Sequence, residues 1–329
     1  MSAATDSGPA QRPDHVVVRT PAKINLALLV GPVRPDGFHE LASVYQAVDL
    51  YDELTASAAE PGVCTIEVSG PGAASVPSGA DSARNLAARA AVLLAEECGL
   101  TAGVRLAIRK GIPVAGGMAG GSSDAAAALL ACDRLWGTAL SRTRLLELAA
   151  RLGSDVPFCL LGETALGSGR GELVRPVPTR GRYCWALALT SDGLSTPQVY
   201  AHLDARRAGT TVGAPEVGPD LLSALGDGDT RAVGQSLSND LQPATLSIRP
   251  ELRLLLEDGT RLGALGSLVS GSGPTCAFLA EDPEHATAIA TGLRASGRCE
   301  QVTTATGPVS GATVLESSVR PARGQLRRG

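Results

Sequence analysis

Lysine is almost absent from this chain: of 29 basic side chains only Lys23 and Lys110 are lysines, and the rest are arginine. An ammonium is a compact charge on a flexible stem, where arginine offers a broad planar fork, so a retained lysine fits a tight site as well as chance survival on a surface. Cysteine pairing signals are missing too. The seven cysteines are scattered, odd in number and contain no C-x-x-C, which argues against a disulfide framework or a zinc site and for reduced thiols, mostly in the core. No run is apolar over the length a bilayer requires, and Met1 to Asp14 lacks the cationic and apolar segments of a secretory leader. A cytoplasmic protein with no membrane partner is the expectation. Surplus positive charge is lacking as well: the formal net charge is −4, so nothing draws the chain to nucleic acid, and any polyanion must be handled locally.

What is present is 44% hydrophobic residues, few of them aromatic, with 39 glycines, which excludes wholesale disorder and suits an α/β or α+β protein built on aliphatic packing and tight turns. At 329 residues the chain exceeds one typical core. Two packed domains with a cleft between them are expected, residues 15–180 and 181–318, flanked by disordered tails at 1–14 and 319–329. The last of these holds Arg320, Arg323, Arg327 and Arg328 without apolar periodicity. No internal repeat is found.

His15 to Val30 is β-branched and apolar around Pro21 and reads as two short strands or one bent one. Lys23 and Asn25, two apart, share one face of it, while Ile24 and Leu26 point to the core. Alanine- and leucine-rich stretches at 83–98, 122–136 and 143–152 predict helices, and strands are expected at 104–109 and 183–190. From Ala205 to Gly228 the chain is rich in Gly, Ala, Pro and Asp, and an α+β unit follows it.

The sharpest feature is Pro113-Val114-Ala115-Gly116-Gly117-Met118-Ala119-Gly120-Gly121-Ser122-Ser123-Asp124, a glycine loop between a predicted strand and an alanine-rich helix. Glycines let backbone N–H groups approach an anion, the unpaired amides and dipole of the helix start favour negative charge, and Ser122 and Ser123 add hydroxyls. Neither a Gly-Lys-Ser/Thr end nor the G-x-G-x-x-G spacing is present, which removes the Walker A and dinucleotide readings. Ser123 and Asp124 are candidate metal ligands by their proximity to such phosphates, but neither forms a diagnostic metal pattern.

In Gly153-Ser154-Asp155-Val156-Pro157-Phe158 an acid follows a helix end and precedes an apolar segment expected to be a strand. Alone, Asp155 fits an Asx-turn; beside an ammonium it would stay ionised and orient or accept the proton of an attacking hydroxyl. A second glycine-serine loop, Ser270-Gly271-Ser272-Gly273-Pro274, leads into another apolar strand.

Pro21-Ala22-Lys23-Ile24-Asn25-Leu26, Arg34-Pro35-Asp36-Gly37-Phe38-His39-Glu40-Leu41, the long glycine loop, Gly153-Ser154-Asp155-Val156-Pro157 and Gly271-Ser272-Gly273 resemble, in order, the motifs of the 4-diphosphocytidyl-2-C-methyl-D-erythritol kinase family within the GHMP kinases. The resemblance covers about Val17 to Val314. It implies an α+β fold of two domains, the first like ribosomal protein S5 domain 2 and the second ferredoxin-like, with the site between them. It also implies ATP and Mg²⁺ as cofactors and phosphorylation of the 2-hydroxyl of 4-diphosphocytidyl-2-C-methylerythritol, in the non-mevalonate route to isoprenoids. Carried over by position, Asp155 is the catalytic acid-base residue, Lys23 its cationic partner, and Asn25 lies in the acceptor site with Gly271, Ser272 and Gly273. Phe38 and Tyr200 sandwich the cytosine and His39 reads its polar edge, which the gain of about 1–3 kcal/mol per stacked base makes sensible. Residues 113–123, Asn85 and Lys110 fall around ATP, although an Asn before a helix is also the usual cap. Asn239-Asp240-Leu241 recurs in the pattern with no role readable from it.

Another GHMP kinase, for mevalonate, homoserine or a sugar, would keep the glycine loop without the cytosine clamp. A nucleotide-binding regulator would keep the fold without Lys23 and Asp155.

Overall fold

The computed structural model describes residues 13–114, 116–190 and 193–318, so the expected tails and Ala115 lie, but for residues 13 and 14, outside them. The first element, β1 (His15–Val33), takes the bent form of the two expected. Its register against β2 (His39–Ala59) shifts between Pro21 and Ala22, so a proline that has no N–H for the ladder sits at an irregularity. A second shift, between Asn25 and Ala27, follows just after the Lys23–Asn25 pair.

Next come β3 (Cys64–Ser69), α1 (Leu86–Glu97), β4 (Gly103–Arg109) and α2 (Gly120–Trp136). After them lie α3 (Arg142–Leu152), α4 (Val156–Leu161), β5 (Thr164–Ser168) and β6 (Leu173–Pro176). The strands form a sheet in the order β12-β1-β2-β4-β3, in which β12 is Thr313–Ser318, β5 pairs with β2, and β6 pairs with β5. Helices α1 to α4 cover one face of it. Alanine is what allows this: Ala125, Ala126, Ala127 and Ala128 are all buried, so α2 packs closely against β1, β2 and the other three helices at once. Val16, Val18, Leu54, Ala56, Leu106 and Ile108 supply the sheet side of this core.

One expectation is corrected here. The apolar run after Asp155 is a short helix, α4, and not a strand; Pro157 sits in its first turn, where a missing N–H costs nothing. The 205–228 segment likewise contains a helix beginning at a proline, α6 (Pro219–Asp227), after α5 (Thr196–Arg206).

The second sheet runs β11-β7-β10-β9: β7 is Tyr183–Leu189, β9 Gly266–Val269, β10 Cys276–Ala280 and β11 Gln301–Gly307. All seven residues of β7 are buried because both its faces are covered. Cys184, Ala186 and Ala188 face α9 (Glu251–Arg261) and α10 (Pro283–Ser296), while Tyr183, Trp185, Leu187 and Leu189 meet Ala22, Ile24 and Leu26 of β1. The polar end of Trp185 is not wasted there: its Nε1 donates to Gln46 Oε1 at 3.1 Å. Between the sheets run α7 (Thr230–Gln235), the two-residue β8 (Ser238–Asn239), which pairs with β1, and α8 (Gln242–Ile248). No helix among the described residues is long and apolar enough to cross a membrane. All seven cysteines are free, and four of them are buried.

Candidate active site

A cavity of about 660 Å³ opens where β1, the start of α2, α5 and the 270–273 loop meet. Period-two alternation along β1 places Lys23 and Asn25 on its wall, with Ile24 and Leu26 in the core behind them. Both polar side chains are buried and hydrogen-bonded. Lys23 Nζ donates to Asn25 Oδ1 at 2.7 Å and lies 3.7 Å from Asp155 Oδ2; Asn25 Nδ2 donates to Ser43 Oγ at 2.8 Å, which donates onward to Ala27 O. Asp155 arrives from the α3–α4 junction and is partly open to the cavity. Tyr45, whose ring centre is 5.7 Å from Lys23 Nζ, closes the floor, its hydroxyl pushed well above its ordinary range by burial.

The glycine loop enters the same space. Gly117 has φ 72°, and a Cβ there would come within 2.7 Å of Ser270 O, so the two glycine loops abut only because this residue has no side chain. Ala119 precedes α2 in the left-handed region, φ 62°, a strained place for a non-glycine residue, and no side chain caps the helix. The amides of Gly120, Gly121 and Ser122 therefore keep their donors, and Ala119 and Ser122 line the cavity. Pro113, Val114 and Gly116 do not line the cavity: Val114 sits beside Gly72, a Cβ at Gly116 would meet Thr275 Oγ1 at 3.0 Å, and Met118 is buried beneath.

Three residues expected around ATP are turned elsewhere. Ser123 is buried, and its hydroxyl donates to Pro21 O at 2.8 Å. Asn85 caps α1, accepting from Ala87 N at 2.9 Å while donating to Pro77 O. Lys110 is buried between two carboxylates, Asp52 and Asp124, the latter at 2.7 Å. Burial alone would depress its pKa, but the two anions outweigh it and raise it. Burial, with Asp52 beside it, lifts Asp124 to about 7 against the pull of Lys110. Asp52 also accepts from Gly111 N and Ile112 N, so the triad fastens the strand before the glycine loop to the helix after it.

At the far end of the cavity the aromatic residues do not stand as a preformed sandwich. Tyr200 packs against His39, ring centres 4.9 Å apart, and the guanidinium of Arg170 covers Phe38 at 4.8 Å. His39 Nε2 lies 2.8 Å from Asp204 Oδ1; a carboxylate only accepts, which puts a proton on Nε2 and leaves Nδ1 for another partner. Phe38 is 51% exposed on the β1–β2 turn. Gly271 and Ser272 also reach the wall: Asn239 Nδ2 donates to Val269 O and Gly271 O, and Ser272 Oγ is 2.9 Å from Thr196 Oγ1. Gly273 packs beneath them against Val269 and Thr245.

The profile for the GHMP kinases N terminal domain matches residues 85–163, and that for the GHMP kinases C terminal region matches 221–299. A 4-diphosphocytidyl-2-C-methyl-D-erythritol kinase of Thermobifida fusca is 54% identical over 92% of this chain and 99% of its own length. The protein of that name from Streptomyces avermitilis is also 54% identical, over 91% of this chain and 99% of its own. The chain belongs to the 4-diphosphocytidyl-2-C-methyl-D-erythritol kinase family of GHMP kinases. A crystal structure of such a kinase superposes with a TM-score of 0.70 at 34% identity, covering 88% of this chain and 98% of that one. The homoserine kinase of Cytophaga hutchinsonii reaches the same TM-score at 19% identity over 95% of this chain and all of its own, which extends the likeness at the level of fold alone.

The uncapped start of α2 and its glycines fit the phosphates of the ATP that GHMP kinases use as donor. Ser123 and Asp124 do not fit as metal ligands, since one is bonded to Pro21 and the other to Lys110. Among the described residues no group of three or more His, Cys, Asp or Glu could hold an ion.

Several residues of this site had no signal strong enough to single them out. Asp52 meets Lys110 across 58 positions and Asp204 meets His39 across 165, distances no local pattern spans. Arg170 had a faint one, its place between two glycines, Gly169 and Gly171, both of positive φ.

Proposed function

We propose that this chain transfers the γ-phosphoryl group of ATP to the 2-hydroxyl of 4-diphosphocytidyl-2-C-methyl-D-erythritol, yielding the 2-phosphate and ADP for isoprenoid precursors. The observation that carries the reading is the convergence of Lys23, Asn25 and Asp155 on one wall, opposite the uncapped start of α2. Phosphoryl transfer requires little covalent work from a protein beyond holding the hydroxyl in line and stabilising charge. Asp155 accepts the hydrogen bond of the acceptor hydroxyl and takes its proton as the new P–O bond forms. Lys23, 3.7 Å from that carboxylate, offsets charge on the moving group. Asn25, fixed by Ser43, holds the Lys23 ammonium in place. Gly117 to Ser122 cradle the triphosphate. A Mg²⁺ ion accompanying ATP would supply charge neutralisation to the triphosphate.

Phe38, His39 and Tyr200 take the cytosine at the other end, with His39 Nδ1 as the free polar position and the ring of Tyr200 as a stacking face. Residues 15–180 and 181–318 act as the two lobes of the cleft, with β12 returned to the first sheet. The reaction belongs in the cytoplasm, where ATP is made and thiols stay reduced.

The test is incubation with ATP and Mg²⁺ beside four acceptors: 4-diphosphocytidyl-2-C-methylerythritol, mevalonate, homoserine and galactose, with products read by mass spectrometry. One phosphorylated product, from the cytidine compound, is expected. Product from another acceptor keeps the fold and removes the cytosine clamp; ATP binding without any product leaves a regulator.

A further inference from the structure

We propose that Arg170 is the side chain that grips the diphosphate of the acceptor, and so makes the protein select a cytidine diphosphate ester over a cytidine or cytidine monophosphate compound. This rests on the acceptor proposed above. Among the described residues, Lys23 and Arg170 are the only lysine or arginine side chains on the cavity wall. Lys23 is committed to Asn25 and Asp155 at the transfer end. A diphosphate carries charge that a wall holding Asp155 and Asp204 would otherwise repel.

The geometry around Arg170 suits an anion. Its guanidinium carbon lies 4.8 Å from the centre of the Phe38 ring, and a guanidinium carries a fork of donors that can meet phosphate oxygens two at a time. Glu172 is 3.6 Å from Nε, near enough to orient the group, and neither terminal nitrogen donates a hydrogen bond within the described residues. The arginine rides on a fixed turn. Leu41 N donates to Gly169 O at 2.7 Å, Gly171 N donates to Ser168 O, and Gly171 packs so closely that a Cβ would come within 2.4 Å of the Tyr45 hydroxyl and 3.8 Å of Ser154 Cβ. One turn thus touches Phe38 on one side and the residue before Asp155 on the other. A group linking a pyrimidine on the clamp to a hydroxyl at Asp155 has to pass it.

The test titrates cytidine, CMP and CDP into the full chain and its Arg170→Gln variant with ADP held at saturation, so that the donor site is filled. Affinity rising from cytidine to CDP is expected in the unchanged protein. In the variant CDP weakens roughly 10- to 100-fold, with a shallower salt dependence, while cytidine and ADP stay within about twofold. Arg170→Lys, which keeps the charge without the fork, recovers part of the loss. Cytidine weakened as much as CDP would overturn the proposal and make Arg170 a support for Phe38. Unchanged CDP affinity, or a loss of ADP affinity instead, would overturn it too. If the unchanged protein binds ADP but no cytidine compound, the acceptor reading itself falls, a result distinct from any failure confined to the variant.

Discussion

The carboxylate of Asp155 stands 3.7 Å from the ammonium of Lys23, and the two come from elements 132 residues apart that meet only at the cavity wall. That pairing is the arrangement a hydroxyl acceptor needs. Asp155→Asn is expected to lower kcat about 100- to 10,000-fold while ADP affinity stays within about twofold. Initial rates at saturating substrates, with calorimetry for ADP, decide it; a variant keeping more than a tenth of the activity would remove Asp155 from the chemistry.

Asn239 has a task that its sequence context concealed. It ties the 269–271 backbone by two hydrogen bonds, at 2.7 and 2.8 Å, and accepts from Leu241 N, so Asn239→Ala leaves three backbone groups short of a partner. A loss of about 1–3 kcal/mol in urea unfolding is expected. Activity should fall with it, because Gly271 packs beside Asn25 and Lys23.

Lys110 is expected to matter for stability before it matters for nucleotide. Lys110→Met strands two buried carboxylates and should cost about 3–5 kcal/mol in urea unfolding. A variant of unchanged stability that has lost only ADP affinity would return Lys110 to direct contact with the nucleotide.

Asp124 gives the triad a pH signature. Its carboxyl holds a proton more tightly in the folded chain than in the unfolded one, so its contribution favours the folded state at low pH and is lost as pH climbs from the ordinary carboxyl range through about 7. Asp124→Asn removes that titration. Its stability relative to the unchanged chain should therefore improve between pH 5 and pH 8, whatever the offset at any one pH. Parallel urea curves across that range, with a constant difference, would refute the shift.

Much of the site could be read before the fold was known, for reasons that lie in local geometry. Lys23 and Asn25 were legible because alternation on a strand is rigid, and the glycine loop because small residues before an alanine helix have few other uses. Six apolar residues after Asp155 were not, since a run that short fits a buried strand or a buried helix equally, and packing beside α2 and α3 decided for the helix. Lys110 illustrates the other limit. Its partners are set by the approach of β2 to α2, so a residue read as a ligand contact proved to be an internal brace.

β1 carries the lysine of the site, and one of its edges pairs with β12: His15 and Ser318 are bonded although 303 positions separate them. During synthesis the His15–Arg19 stretch of that edge has no neighbour until residues 313–318 are made, whereas Ala27 and Leu28 meet β8 earlier, so its ladder groups stay open to intruding strands until then. Such long-range closure slows folding.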